Sequence, residues 1–462
     1  LDVRWEGLGS RDEALNRLTT AARRTPPGAW VVVLGGWHPG QFTKRWMPAL
    51  TELDEAVPDH PVYIQRNYRE AFLNSAGLNT VSLPSSGQGD APSGRVIGMA
   101  LLQTCLSHLD QPSPNQQIEG TRLMLAELAR LGLTGVIDAA GFGMTPQMYE
   151  PIKGLWGRGE LGLRVRLLLG PSQRGRELTD LRSWSEAADH GYGDGSLKYL
   201  GFGEVLLFGA HDGEGVEPVA LHSQADQLKE ISRMILQAGW PIHIHAILDS
   251  SVGMVLDAWS PLIAEGLASH RLTITHADQI SSGNLRRVKD LGIGITVQHG
   301  MAFRGLDSLS TWGTSAVAAA PPLRDMVELG IPVGAGTDAT VVSDYNPWRC
   351  LYWLVSGESV DGSPPRAEDQ RLSREQALSL YTSGSAWFSS EEDQRGELKA
   401  GYLADLAVLS DDFFSVPDRL IPSITSDLTL VGGRVVHRSP ALSGPSRQRP
   451  PPPPVPAPSG GR

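Results

Sequence analysis

Cysteine is almost missing from this sequence: Cys105 and Cys350 are the only two in 462 residues. Two thiols so far apart supply neither a disulfide framework nor a thiolate zinc site. They fit a reducing compartment, and a cytoplasmic location is expected. Long apolar runs are missing as well. No stretch reaches the about 18 apolar residues that a membrane helix needs, and the first residues lack the charged-then-apolar order of a secretory signal. Positive charge is in deficit, with 40 Lys and Arg against 51 Asp and Glu, a formal net charge of -11 and no basic stripe. Polyanions are held by clustered Lys and Arg, so neither a nucleic-acid nor a membrane partner is expected. Phenylalanine is scarce, nine residues against twelve tryptophans. Trp312, Trp348 and Trp353 flank the last strand ends, where they either wall an apolar pocket or pack helices on the outside.

What remains is the composition of a globular protein, 40% hydrophobic and 20% charged, long enough for one large domain and a smaller one. Its second half has a regular syntax. QLKEISRMILQAG runs to Gly239 before WPIHIH, residues 281–292 run to Gly292 before GIGITVQH, and PPLRDMVELG runs to Gly330 before IPVGAGTD. Helix, glycine cap, apolar strand and polar strand end form the repeating unit of an alternating α/β fold. Adding TGVIDAAG, LRVRLLLG and LKYLGFGEVLLFG gives roughly seven strands after residue 130, where a (β/α)8 barrel needs eight. The eighth is either WVVVLGGWH, ending at His38, or a first strand missing from a chain that begins at Leu1.

Four of the strand-like segments end in groups that bind metals or move protons: His243 and His245, His276 and Asp278, His299, and Asp338. In a parallel barrel the carboxyl ends of the strands share one mouth, so these groups converge there. Four regions are expected along the chain: an α/β segment over 1–115, the barrel over 116–393, a small β domain over 394–440, and a proline-rich tail over 441–462 that buries too little to fold. The Gly/Ser/Pro-rich stretch from Leu83 to Gly98 reads as loop.

GWPIHIHAILDSSV, RLTITHADQI, GAGTDATVVSDYNPW and GELKAGYLADLAVLSDD resemble the amidohydrolase superfamily, in the branch of metal-dependent hydrolases similar to N-substituted formamide deformylase (amidohydrolase family 3). WVVVLGGWHPGQF and PVYIQRNYREAFLNSAGL resemble the insertion that this branch carries between its first two barrel strands. The resemblance implies a TIM-like barrel with an α/β insertion and a small β domain. It also implies His245 and His276 as metal ligands, and Asp338 as a ligand that takes the proton of the attacking water. Glu204 matches the position where the branch often has a carboxylated lysine that bridges two metals, with Lys198 as the rival. The chain departs from the pattern in two places. The HxH pair of the first strand is not found, so that strand is expected to be missing, and Arg69 stands where the branch usually has histidine.

The cofactor implied is a divalent metal, zinc first, as one or two ions, with iron, manganese or nickel as alternatives. The reaction implied is hydrolysis of a C–N bond in an amide, formamide or cyclic imide by a metal-activated water, with Asp338 as general base and then acid. The partner is a small-molecule substrate, touched by His243 and His299, and a homo-oligomer is left open. Each residue also has a bland use. His243 and His245 face one side of a strand and can be hydrogen-bonded core residues, Asp338 can cap a turn, and Glu204 can form an ordinary ion pair. A chain without the HxH pair can also be a non-catalytic ligand-binding protein on the same scaffold.

Overall fold

A computed structural model describes residues 2–81, 89–90, 93–187, 189–213, 221–268 and 270–442. The proline-rich tail from residue 443 onward lies outside the described residues. The first layer opens with the helix Arg11–Ala22, which starts where it does because Ser10 accepts the Glu13 amide and Glu13 reaches back to the Ser10 amide, a reciprocal cap. Its sheet contains β1 (Val31–Leu34), β2 (Val62–Arg66), β3 (Glu70–Leu73), β4 (Gly89–Asp90) and β5 (Arg95–Ile97), in the order β1-β2-β3-β5-β4. β1 pairs with β2 in parallel, so the strand ending near His38 belongs to this sheet and is not an eighth barrel strand. The stretch read as loop from Leu83 to Gly98 contains β4 and β5. Buried Glu70 on β3 draws Arg95 onto the sheet at 2.5 Å, a pull that glycine and serine content does not reveal.

Seven parallel strands make the second sheet: β6 (Gly135–Asp138), β7 (Arg164–Leu169), β8 (Leu197–Phe202), β9 (Ile242–Leu248), β10 (Leu272–Gln279), β11 (Gly294–Gln298) and β12 (Val333–Gly336). They pair in strict sequence order, as the repeating unit predicts. Gly292 and Gly330 both adopt φ +67, the left-handed turn that lets a helix stop and the next strand begin. The sheet curls into an open barrel. Its two ends approach through their helices: Trp348, on Pro347–Ser356, donates from its indole to the carbonyl of Leu131 at 2.8 Å, next to the end of Pro114–Arg130. Among the described residues β6 and β12 do not pair.

One continuous apolar core fills the space between this sheet and its helices, and two smaller cores cover the faces of the first sheet. Trp348 and Trp353 are buried among helices, and each large side chain so buried contributes roughly 1.5–3 kcal/mol. Trp353 also borders a cavity of about 300 Å³ between residues 7–9, 40–41 and 302–303. A third, antiparallel sheet of β13 (Leu406–Leu409), β14 (Ser426–Val431) and β15 (Arg434–Arg438) docks on the helix Pro114–Arg130, where Thr429 donates to the carbonyl of Ala129 at 2.7 Å. Beneath the barrel, buried Arg166 pairs with Glu391 at 2.6 Å, and Arg164 with Asp405 at 2.6 Å. No helix among the described residues is long and apolar enough to cross a membrane.

Candidate metal centre

The strand exits of β8, β9, β10 and β12 bring four of the expected residues to one mouth. β8 ends at Phe202, and the next residue must be glycine: a Cβ at Gly203 would lie 2.2 Å from the carbonyl of His243. That close approach turns the chain so that Glu204 enters the mouth, its amide donating to Ala140 at 3.0 Å and its carbonyl accepting from His245 at 3.1 Å. His243 and His245 share the inner face of β9, and His276 lies at the exit of β10, beside Ala246 in register. Asp338 follows β12 by two residues.

The geometry fixes which nitrogen of His245 is available. Its Nε2 lies 2.8 Å from Asp212 Oδ1 and 3.0 Å from the carbonyl of Gly213, two oxygens that can only accept, so Nε2 carries the hydrogen. Nδ1 is left with a buried lone pair and no hydrogen-bond partner among the described residues, 3.9 Å from Glu204 Oε2. A carboxylate behind one ring nitrogen and a bare lone pair at the other is the arrangement of a metal-binding histidine. On the other side of Glu204, His276 Nε2 lies 3.5 Å from the same oxygen. Burial opposes ionisation of Glu204, but His276 and the neighbouring histidines outweigh it and hold the carboxyl at about 2. For His276, burial again opposes charge and Glu204 overrides it, holding the imidazole at about 9.

Asp338 is solvent-exposed, in a mouth crowded by the other groups of the centre. Burial and the charge of Glu204 push its carboxyl up to about 6, against the pull of His276, His245 and Arg304. It accepts no hydrogen bond among the described residues, so it does not cap the turn that follows. Its backbone is left-handed, φ +58, and so are His276 at +80 and Ala277 at +52. Non-glycine residues in this region cost of order 1–3 kcal/mol each and gather where function requires them.

Two residues that sequence reasoning missed complete the centre. His211 and Asp212 lie in the loop after β8. Asp212 is buried, and Oδ2 accepts the amides of Ile247 and Leu248 at 3.0 and 2.9 Å. His211 stacks on His245 with ring centroids 3.7 Å apart, and the donor atoms of Glu204, His211 and His245 lie within 4.8 Å of one another. However, His211 Nδ1 accepts the amide of Gly213 at 3.0 Å, which places the hydrogen of the neutral ring on Nε2. In this arrangement His211 is a donor beside the centre, and it would ligate only by giving up that bond. The available signal was the polar pair in GAHDG, just past the apolar run VLLF.

The remaining expected residues lie elsewhere. His243 is one layer deeper, edge-on to Phe388 at 6.2 Å, and burial holds its imidazole down at about 4. His299 is fully buried, with Nε2 on Asp344 at 3.2 Å. Lys198, near the start of β8, pairs with Glu391 at 3.3 Å, away from the mouth. Arg69 pairs with Asp307 at 3.2 Å.

Comparison with known proteins agrees with this architecture. The chain is 25% identical over 439 residues to N-substituted formamide deformylase of Arthrobacter pascens, covering 89% of this chain and 80% of that protein. A metal-dependent hydrolase from Pyrococcus horikoshii OT3 superposes with a TM-score of 0.65 at 21% identity, over 90% of this chain and 83% of the other. Atrazine chlorohydrolase TrzN from Arthrobacter aurescens TC1, solved with zinc, superposes with a TM-score of 0.52 at 18% identity, over 83% and 86%. At those identities the two structures speak for the fold. The model of the amidohydrolase family matches residues 1–437. The chain belongs to that family and is by class a hydrolase acting on carbon–nitrogen bonds other than peptide bonds.

Proposed function

We propose that Glu204, His245, His276 and Asp338 hold a divalent cation, zinc first, and that the chain hydrolyses a small amide, formamide or cyclic imide at its mouth. The observation that carries this reading is His245, whose Nε2 is pinned by Asp212 and Gly213 while Nδ1 turns a bare lone pair toward Glu204. All four donors lie at the exits of β8, β9, β10 and β12, so this set needs no residue from a first strand. When bound, the cation lowers the pKa of water and polarises a carbonyl oxygen. The chain's own residues do the rest. Asp338, with no protein partner to satisfy, accepts the proton that the attacking water loses as its oxygen bonds to the carbonyl carbon. As the C–N bond breaks, Asp338 returns that proton to nitrogen, so one water is consumed and an acid and an amine leave. His211, whose ring stacks on His245 and whose Nε2 carries the hydrogen, can donate to the carbonyl oxygen as charge develops there.

The relative named as an N-substituted formamide deformylase supports a formamide as the first substrate to try. Elemental analysis of the purified chain, alongside amine release from a panel of N-substituted formamides and N-acyl amines, tests the reading. One or two divalent ions per chain and turnover of at least one panel member are expected. A chain that retains metal and its fold yet releases no amine from any of them would instead be a ligand-binding protein on this scaffold.

A further inference from the structure

Three aromatic side chains from three separate segments meet at the mouth, and nothing in the mechanism above uses them. Phe142, in the loop after β6, lies 5.8 Å from Phe208, in the loop after β8, and 6.4 Å edge-on from Tyr68, at the tip of the β2–β3 hairpin. Phe142 is 45% and Tyr68 39% exposed, a large area to leave wet. A single exposed aromatic means little. Here one of the exposed rings adjoins the centre: the Phe142 ring lies 4.4 Å from the ring of His211, which stacks on His245.

Their positions are fixed by structure built for the purpose. Phe142 follows Ala140, whose carbonyl accepts the Glu204 amide, so the loop that carries the ring is tied to the metal centre. At the hairpin tip, Asn67 is left-handed at φ +48 and its side chain accepts the Arg69 amide at 2.8 Å, while Gln65 donates to the Asn67 carbonyl at 2.8 Å. Arg69 then pairs with Asp307 on the helix Met301–Trp312, which follows β11. The tip therefore spans from the loop after β6 to the helix after β11 and sets Tyr68 beside Phe142.

We infer that Tyr68, Phe142 and Phe208 form an aromatic wall that receives a flat aromatic substituent of the substrate, beside the scissile amide. Rings already set edge-on or tilted to one another leave exposed faces and edges that a further ring can meet in the offset geometry aromatic pairs prefer. The inference rests on the proposed hydrolysis only in taking the occupant to be a substrate.

The test compares two formamides of nearly equal bulk, N-(2-phenylethyl)formamide and N-(2-cyclohexylethyl)formamide, with the metal-loaded chain, the Tyr68→Ala/Phe142→Ala double variant and Phe142→Tyr. In parallel, calorimetry follows binding of the two corresponding amines, which needs no turnover. The wild-type chain is expected to favour the phenyl compound in kcat/KM and in binding. The double variant should lose that preference, with the ratio falling about tenfold, while Phe142→Tyr, which keeps the ring, retains it. Hydrolysis of both formamides without a phenyl preference, or a ratio unchanged in the double variant, would overturn the wall and leave the proposed reaction standing. Hydrolysis of neither, with the amine preference present and lost in the double variant, would support the wall and count against these formamides as substrates, whereas no amine preference in the wild type would overturn the wall.

Discussion

His245 donates from Nε2 to Asp212 at 2.8 Å, and that single bond decides which ring nitrogen faces Glu204. Asp212 is itself held by the Ile247 and Leu248 amides, so the carboxylate cannot swing away and the ring cannot flip. Replacing it by asparagine presents an NH2 group to donors and frees the tautomer. Asp212→Asn should weaken zinc binding about 10- to 100-fold, the usual effect of losing a carboxylate behind a ligating histidine. Competition with a chromophoric chelator measures this, and an unchanged affinity would remove His245 from the ligand set.

Glu204 and Lys198 compete for the role of bridging group, and the fold separates them by most of the length of β8. Lys198 Nζ is engaged by Glu391 at the base of the barrel, while Glu204 stands between His245 and His276. Glu204→Gln is expected to strip metal from the chain. Lys198→Ala should bind as much metal as the wild type, and metal loss in this variant would reinstate the lysine.

How much of this was legible in the sequence follows from what periodicity can encode. The strands and their order could be read because each helix ends on a glycine, Gly292 and Gly330 among them, before an apolar run. His245, His276 and Asp338 could be placed at a common rim because parallel strands end together. Depth along the strand followed from spacing: His243 shares a face with His245 but comes two residues earlier, one layer down, where it meets Phe388. His211 and Asp212 left only a weak trace, a polar pair after an apolar run, because a loop has no period. Asp212 acquires meaning only when folding lays it against β9, 33 residues further along the chain at His245. The Tyr68 hairpin tip was hidden for the same reason, since its contacts lie on the loop after β6 and on the helix after β11.

The His299–Asp344 pair gives the fold an alkaline limit. Burial works against the imidazolium, but the Asp344 bond overrides it and holds His299 at about 9, while the same bond keeps Asp344 below the usual carboxylate range despite its burial. Cys350 and Arg349 border the pair. A histidine raised from 6.5 contributes stability that is complete below its unfolded pKa and fades as pH climbs through about 9. The aspartate's contribution is present above its unfolded value and fades as pH falls through its lowered folded value. Thermal midpoints should therefore decline as pH rises from 7 through 9, and His299→Gln should flatten this part of the alkaline decline. A midpoint that does not respond to pH over that interval in the wild type would contradict the pairing.

Beneath the barrel, Arg166 and Glu391 form an ion pair with both side chains almost wholly buried. Removing one partner strands the other's charge, which typically costs 3–5 kcal/mol, whereas replacing both with apolar residues is often close to neutral. Lys198 and Arg395 also touch Glu391, so Arg166→Met should fall near the lower end, roughly 3 kcal/mol. Arg166→Met/Glu391→Leu should recover part of the loss, although it releases the other two cations. Denaturant titration of the wild type and the two variants distinguishes these outcomes, and a double variant less stable than Arg166→Met alone would show that the stranded charge of Glu391 is not the main cost.

Asp338 separates chemistry from architecture most cleanly. Its carboxylate accepts no hydrogen bond among the described residues, so replacing it removes no structural contact. Its backbone is left-handed at φ +58, a conformation that asparagine tolerates about as well as aspartate. Asp338→Asn should therefore fold with a thermal midpoint equal to or above that of the wild type, since it removes the burial cost of the charge together with repulsion by Glu204, which outweigh the pull of His276, His245 and Arg304. Turnover should behave differently. An amide cannot take the proton of the attacking water or return it to the departing nitrogen, and loss of such a group typically costs 10²- to 10⁴-fold in rate. Because the other three donors remain, some metal should stay bound, so the loss should appear chiefly in kcat. A variant that is as active as the wild type would show that the proton leaves by another route, and one that fails to fold would return Asp338 to a structural role.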